Sequence, residues 1–164
     1  MSAIADRLTF PHPVNEIAAR LVAAGVVVMT LAVALLGWTW VLLPLAYGFL
    51  ARVAAGPRYS PLGPLVTRVV VPRLSVAPRP VPGPPKRFAQ AIGAILSVTA
   101  VVLAYGAGEP GAARVVAGLI AVAATLEAAF GLCIGCRIFA GLIRVGLVPE
   151  RICLECADLS ARRA

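Results

Sequence analysis

The sequence predicts an all-α polytopic membrane protein, four transmembrane helices as two hairpins with both termini cytoplasmic. Three features carry that prediction: long runs without charge, a proline-dense basic segment between them, and an uneven placement of arginines. Only 13% of the 164 residues are charged and 60% are apolar, where a soluble domain carries about 25% charged residues. The length suits a single membrane domain, 1–164.

The run Leu21 to Ala51 has no charged residue. It is too long for one upright helix of about 20 residues and too short for two. Extending it to Ile17 and Ala55 takes in Arg20 and Arg52, whose long stems can snorkel. Two spans then fit, at about 17–37 and 38–55, turning around Gly37-Trp38-Thr39-Trp40. Tryptophan rings favour the headgroup level, which suits that turn. Pro44 is expected to kink the second span without breaking it.

Residues 56–87 hold Pro57, Pro61, Pro64, Pro72, Pro78, Pro80, Pro82, Pro84 and Pro85. Proline lacks an N–H donor, so this density predicts an extended loop with short surface pieces such as Leu65–Val71. Arg58, Arg68, Arg73, Arg79, Lys86 and Arg87 lie in it, with no acidic residue. A third span is expected at about 88–108, a tight turn around Glu109-Pro110, and a fourth span at about 113–136, interrupted by Glu127. Along that span Ala117, Ala121, Ala124, Ala128, Gly131 and Gly135 recur every three or four residues, a small-residue face that lets helix backbones approach. A tail, 137–164, follows.

Topology comes from the arginines. Loop 56–87 and the tail are basic, whereas the two short turns hold only Arg114 between them. The positive-inside rule therefore assigns the loop, the tail and both termini to the cytoplasm, in a multi-pass protein of the inner or plasma membrane. No small-residue cleavage site precedes the first span, so it is expected to stay in the bilayer. The net charge of +8 does not point to nucleic acid, because aromatics are few and do not interleave with the arginines. The partner it implies is the lipid bilayer. Heavy use of Ala, Val, Gly, Pro and Arg fits a GC-rich bacterial genome.

All four cysteines fall in two CxxC pairs, Cys133-Ile134-Gly135-Cys136 and Cys153-Leu154-Glu155-Cys156. Three chemistries are open. A CxxC at a helix terminus beside Arg137 and Arg151 stabilises one thiol as thiolate, which suits redox or sulfur transfer at Cys133 and Cys136. Cys153 and Cys156 would then be partner or resolving thiols. Alternatively, the CxxC-x16-CxxC spacing suits one tetrathiolate site for zinc or iron, built from Cys133, Cys136, Cys153 and Cys156. That closure needs residues 137–152 to fold back; Ile138-Phe139, Leu142-Ile143 and Val145, interleaved with Arg137 and Arg144, predict an interfacial helix turning at Gly146. The third is a transporter of a small sulfur species with Glu127 on the path.

Glu127 lies about 9–14 Å inside the boundary of an uninterrupted fourth helix, at 1.5 Å per residue. On such a helix it faces away from both sulfurs, as a protonated or Arg52-paired carboxylate or as a proton relay. The one histidine, His12, stands between two prolines and is a weak metal-ligand candidate. No Ser-His-Asp set, carboxylate pair or phosphate loop is present.

At Gly56-Pro57-Arg58-Tyr59-Ser60-Pro61, Arg87-Phe88-Ala89-Gln90 and Phe130-Gly131-Leu132-Cys133-Ile134-Gly135-Cys136-Arg137 the chain resembles an uncharacterised bacterial membrane family, domain of unknown function 4395. The likeness covers roughly residues 12–140, and the cysteine motif with its preceding glycine is its most specific part. The resemblance implies a small multi-span protein, found alongside thioredoxin-like proteins and rhodanese-type sulfurtransferases. It carries Cys133 and Cys136 over as motif residues, and it matches Arg58 and Arg87 without assigning them a role. The second cysteine pair lies beyond it.

Overall fold

The computed structural model describes residues 14–74 and 77–148. The regular structure among these residues is helical, apart from one short pairing of β1 (Val14–Asn15) with β2 (Pro80–Val81). The helices are α1 (Glu16–Leu36), α2 (Leu42–Ala55), α3 (residues 62–73), α4 (Gly83–Val101), α5 (Pro110–Phe130) and α6 (Ile134–Arg144). Four segments are long and apolar enough to cross a membrane: Glu16–Leu36, Thr39–Arg58, Gly83–Gly106 and Pro110–Phe130. Their outward faces are apolar as well, with Val28, Leu35, Ile95 and Val115 all exposed. Helices that are apolar all round belong in lipid.

The breaks follow local chemistry. Asn15 caps α1 by accepting from the Ile17 N–H at 3.1 Å. Gly37 ends α1 in the left-handed region, at φ 72°. A single 3-10 turn, Thr39–Val41, leads into α2, and the exposed rings of Trp38 and Trp40 stack there at 6.3 Å. Pro44 is the third residue of α2. The N–H it lacks would have had no helical partner in that turn, so no kink is required.

Leu65–Val71 is a mostly exposed piece that belongs to α3, which widens into a π-turn at Val66–Val70 just before Pro72. Val66 is buried and packs with Ala18 and Val22 of α1. The third span begins earlier than residue 88, because Pro84 and Pro85 occupy the first turn of α4, where proline is tolerated. Lys86 is therefore a helix residue rather than a loop cation.

In lipid, apolar burial gives no drive to associate, so packing and polar ties must hold the helices. Packing is tight. Val33, Leu42, Leu45, Ala100, Ala113, Ala117 and Ile120 form the centre. Ala117 and Ala121 of the predicted small-residue face are buried, and α5 packs chiefly on α1, as α4 does on α2. Gly93 has Phe49 against it so closely that a Cβ would stand 2.2 Å from the ring.

The polar ties are arginines placed at the ends of neighbouring helices. Arg20, early in α1, donates to the carbonyls of Ala128 (3.1 Å) and Ala129 (2.7 Å) at the end of α5. Arg114, early in α5, donates to Ala34 (2.9 Å) and Leu35 (3.4 Å) at the end of α1. Arg87 does the same for Val53 of α2, at 3.0 Å. Each supplies donors to carbonyls that have no intrahelical partner, and a cation to the negative end of a helix dipole. The first two ties also establish that α1 and α5 run antiparallel.

Candidate functional site

The predicted fourth span, 113–136, is not one helix. It stops at Phe130, where Gly131 adopts φ 68° and its N–H returns to the Glu127 carbonyl at 3.0 Å, while Leu132 N–H bonds Leu126 at 3.1 Å. This paired return is a Schellman stop, which glycine permits because it has no Cβ. Gly131 and Gly135 accordingly fall outside the α5 face on which the sequence pattern placed them.

The chain restarts with Cys133 as the N-cap of α6 and Cys136 in its first turn. Between them Gly135 is pressed on α4: a Cβ there would stand 2.6 Å from the Ala89 Cα. The glycine of the motif is what lets the dithiol segment dock. Further along α6, Phe139 is buried against the Phe88 ring, 5.4 Å between centroids. The helix expected around Ile138 to Val145 is present as the amphipathic α6, Ile134–Arg144, and Gly146 follows it at φ 76°.

Both described thiols are free. Cys133 is buried and Cys136 half-buried. The Cys136 thiol hydrogen-bonds the Cys133 sulfur, which holds Cys133 below the ordinary thiol value against burial and the Glu127 charge, with Lys86 assisting. The same hydrogen bond raises Cys136, whose proton it uses, and burial raises it further. The N-terminal end of α6 favours negative charge at the same place.

Cys133 lines a half-open cavity of about 260 Å³ between α1, α2, α4, α5 and α6, shared with Arg52, Lys86, Gln90 and Glu127. The break at Gly131 overturns the expectation that Glu127 faces away from the sulfurs, since the offset along a continuous helix does not apply. Nor is Glu127 paired with Arg52. Its carboxylate takes a hydrogen-bonded ion pair from Lys86, and both side chains are largely buried. Arg52 instead donates its Nε to Gln90 Oε1 at 2.8 Å and stacks over the Phe49 ring.

The sequence reading missed Lys86, Arg52 and Gln90 as members of this site. One signal was available: Lys86 is the only lysine beside fourteen arginines. Cys153 and Cys156 lie outside the described residues, as does His12. Among the described residues no three metal-ligating side chains come together.

Neither a curated protein nor a solved structure matches the chain. A family model does, across the whole of the described bundle from β1 to the end of α6. Residues 14–144 match the family described as Domain of unknown function (DUF4395), and the chain belongs to that family.

Proposed function

We propose that this is a membrane protein with a cytoplasmic-face dithiol centre, in which Cys133 and Cys136 exchange electrons or sulfur with a soluble thioredoxin-like or rhodanese-type partner. Both termini are cytoplasmic in this reading, with the spans arranged as two hairpins in the inner or plasma membrane. Cys153 and Cys156 serve as partner or resolving thiols. One observation carries the chemistry: an adjacent CxxC pair at a helix N-terminus, one sulfur half-exposed and the other turned into a cavity beside an ion pair.

This asymmetry assigns roles. From the oxidised centre, a partner thiolate attacks the Cys136 sulfur, the more exposed of the two. The Cys133–Cys136 bond breaks and Cys133 leaves as thiolate, its charge favoured by Lys86 and by the N-terminal end of α6. The partner's second thiolate then attacks the mixed disulfide and releases Cys136. Two electrons have passed, the partner's dithiol has become a disulfide, and the centre is reduced. Glu127, held by Lys86, is the carboxylate whose charge acts on both thiols.

The test is a thiol count on anaerobically purified, metal-free protein. Oxidation is expected to remove two thiols reversibly, with recovery by thioredoxin, and Cys133→Ser or Cys136→Ser abolishes the change. Stoichiometric zinc or iron surviving purification, with no thiol reactive until chelation, would overturn this reading in favour of the tetracysteine site.

A further inference from the structure

Arg52 stands out in the same cavity for a reason unrelated to sulfur. It is a residue of the membrane-crossing helix α2 and only 4% exposed. Guanidinium has five N–H donors and stays charged, yet Arg52 makes one hydrogen bond, from Nε to Gln90. No other acceptor among the described residues takes its remaining N–H groups. These are not sealed in protein, because no buried side-chain nitrogen lacks a partner. The terminal nitrogens lie beside Gly48, between this cavity and a smaller one of about 50 Å³ toward Pro61, and Arg52 lines both.

The charges around it do not cancel: Lys86 is bonded to Glu127, whose single charge also attracts Arg52, so the three side chains together carry one net positive charge. The Phe49 face, 4.5 Å from the guanidinium, offsets part of that charge without accepting its hydrogen bonds. A buried charge persists only when paired and hydrogen-bonded. The missing component is one negative charge with acceptor oxygens.

The rest of the wall is apolar: Val22, Ala23, Val26, Ile92, Leu96 and Ile120. A bare inorganic anion would leave that surface unfilled. At about 260 Å³ the cavity is smaller than the range of about 300–1,000 Å³ typical of drug-sized sites, and a two-chain lipid does not fit. We infer that the cavity binds a small single-chain amphiphile, a monoanionic acid whose head is gripped by Arg52 and whose apolar body lies between α1, α4 and α5. The inference stands apart from the dithiol reading, since it rests on Arg52 and the apolar wall and on no thiol chemistry.

Octanoate is the probe and octanol its neutral counterpart, titrated at pH 8 into the full chain held in phosphatidylcholine nanodiscs. Octanoate is expected to bind at least tenfold more tightly than octanol. Arg52→Gln removes that preference, and Arg52→Lys, which keeps the charge, retains part of it and guards against a folding defect in the first variant. The titration reads ligand binding and no thiol, so its outcome is independent of the thiol count that tests the redox centre. Equal affinity for octanol, or an unchanged preference in Arg52→Gln, would overturn the assignment. So would displacement of octanoate by equimolar inorganic phosphate, which would mark a site for small anions alone. Loss of octanoate binding when phosphatidylglycerol is added would assign the site to membrane lipid and overturn the single-chain occupant.

Discussion

Gly135 lies on Ala89, with the backbone of α6 so close to α4 that an added Cβ would stand 2.6 Å from both Cα and Cβ of Ala89. The contact is backbone to backbone at its core, and neither partner can swing aside. It places the Cys133 sulfur in the cavity wall.

Gly135→Ala is therefore expected to cost about 1–3 kcal/mol, as overpacking does in tight cores. Thermal unfolding in detergent measures the loss. The more specific readout is faster alkylation of Cys133, because α6 must lift from α4 to admit the methyl group. Unchanged alkylation would show that Ala89 yields instead.

Glu127→Gln keeps the shape of the side chain but leaves the Lys86 ammonium buried without its counter-ion. Removing one partner of a buried pair costs about 3–5 kcal/mol, more than the pair itself contributes. The double variant Lys86→Met, Glu127→Leu removes both charges and is expected to regain most of the loss. Comparing the melting temperatures of the two variants checks this, and equal destabilisation would locate the effect elsewhere.

Cys136→Ala removes the hydrogen bond that holds the Cys133 thiol below its ordinary value. A lowered thiol pKa means thiolate is present at lower pH, so alkylation of Cys133 in a variant without the tail cysteines begins at lower pH than for a free thiol. In Cys136→Ala the rate profile shifts to higher pH. Rates of iodoacetamide reaction across pH 6–10 report the shift, and a displacement to lower pH would contradict the assigned bond.

Reporter fusions address the orientation of the chain. Fusions at residue 75 and after residue 164 are expected to be cytoplasmic, and one at residue 109 external, following the basic residues. An external signal at either of the first two would exclude the proposed topology.

The long helices were legible because lipid imposes a simple requirement, about 20 apolar residues, and Gly37 and Glu109-Pro110 punctuate the runs where the chain turns. The site was only half legible. The apolar character of the fourth run continues through Leu132 and Ile134, so hydropathy hid the stop at Gly131, and with it the real bearing of Glu127. Proline density in 78–85 suggested a loop, although the last two of those prolines, Pro84 and Pro85, open α4 and carry Lys86 inward. Arg20 and Arg114 looked like snorkelling or topology signals, whereas their targets are carbonyls more than 75 residues away in sequence, which no local pattern encodes.

Those arginine ties bear on how the chain is made. Ala34, at the end of α1, lies 80 residues ahead of the Arg114 that satisfies it, and Arg20 lies 108 residues ahead of Ala128. A ribosome delivers α1 long before α5 exists. Until the last long helix is made, the first one lacks the partner for both of its ends, and Arg20 can only snorkel to the interface. A chain halted before residue 114 is therefore expected to hold α1 more loosely than the finished protein does.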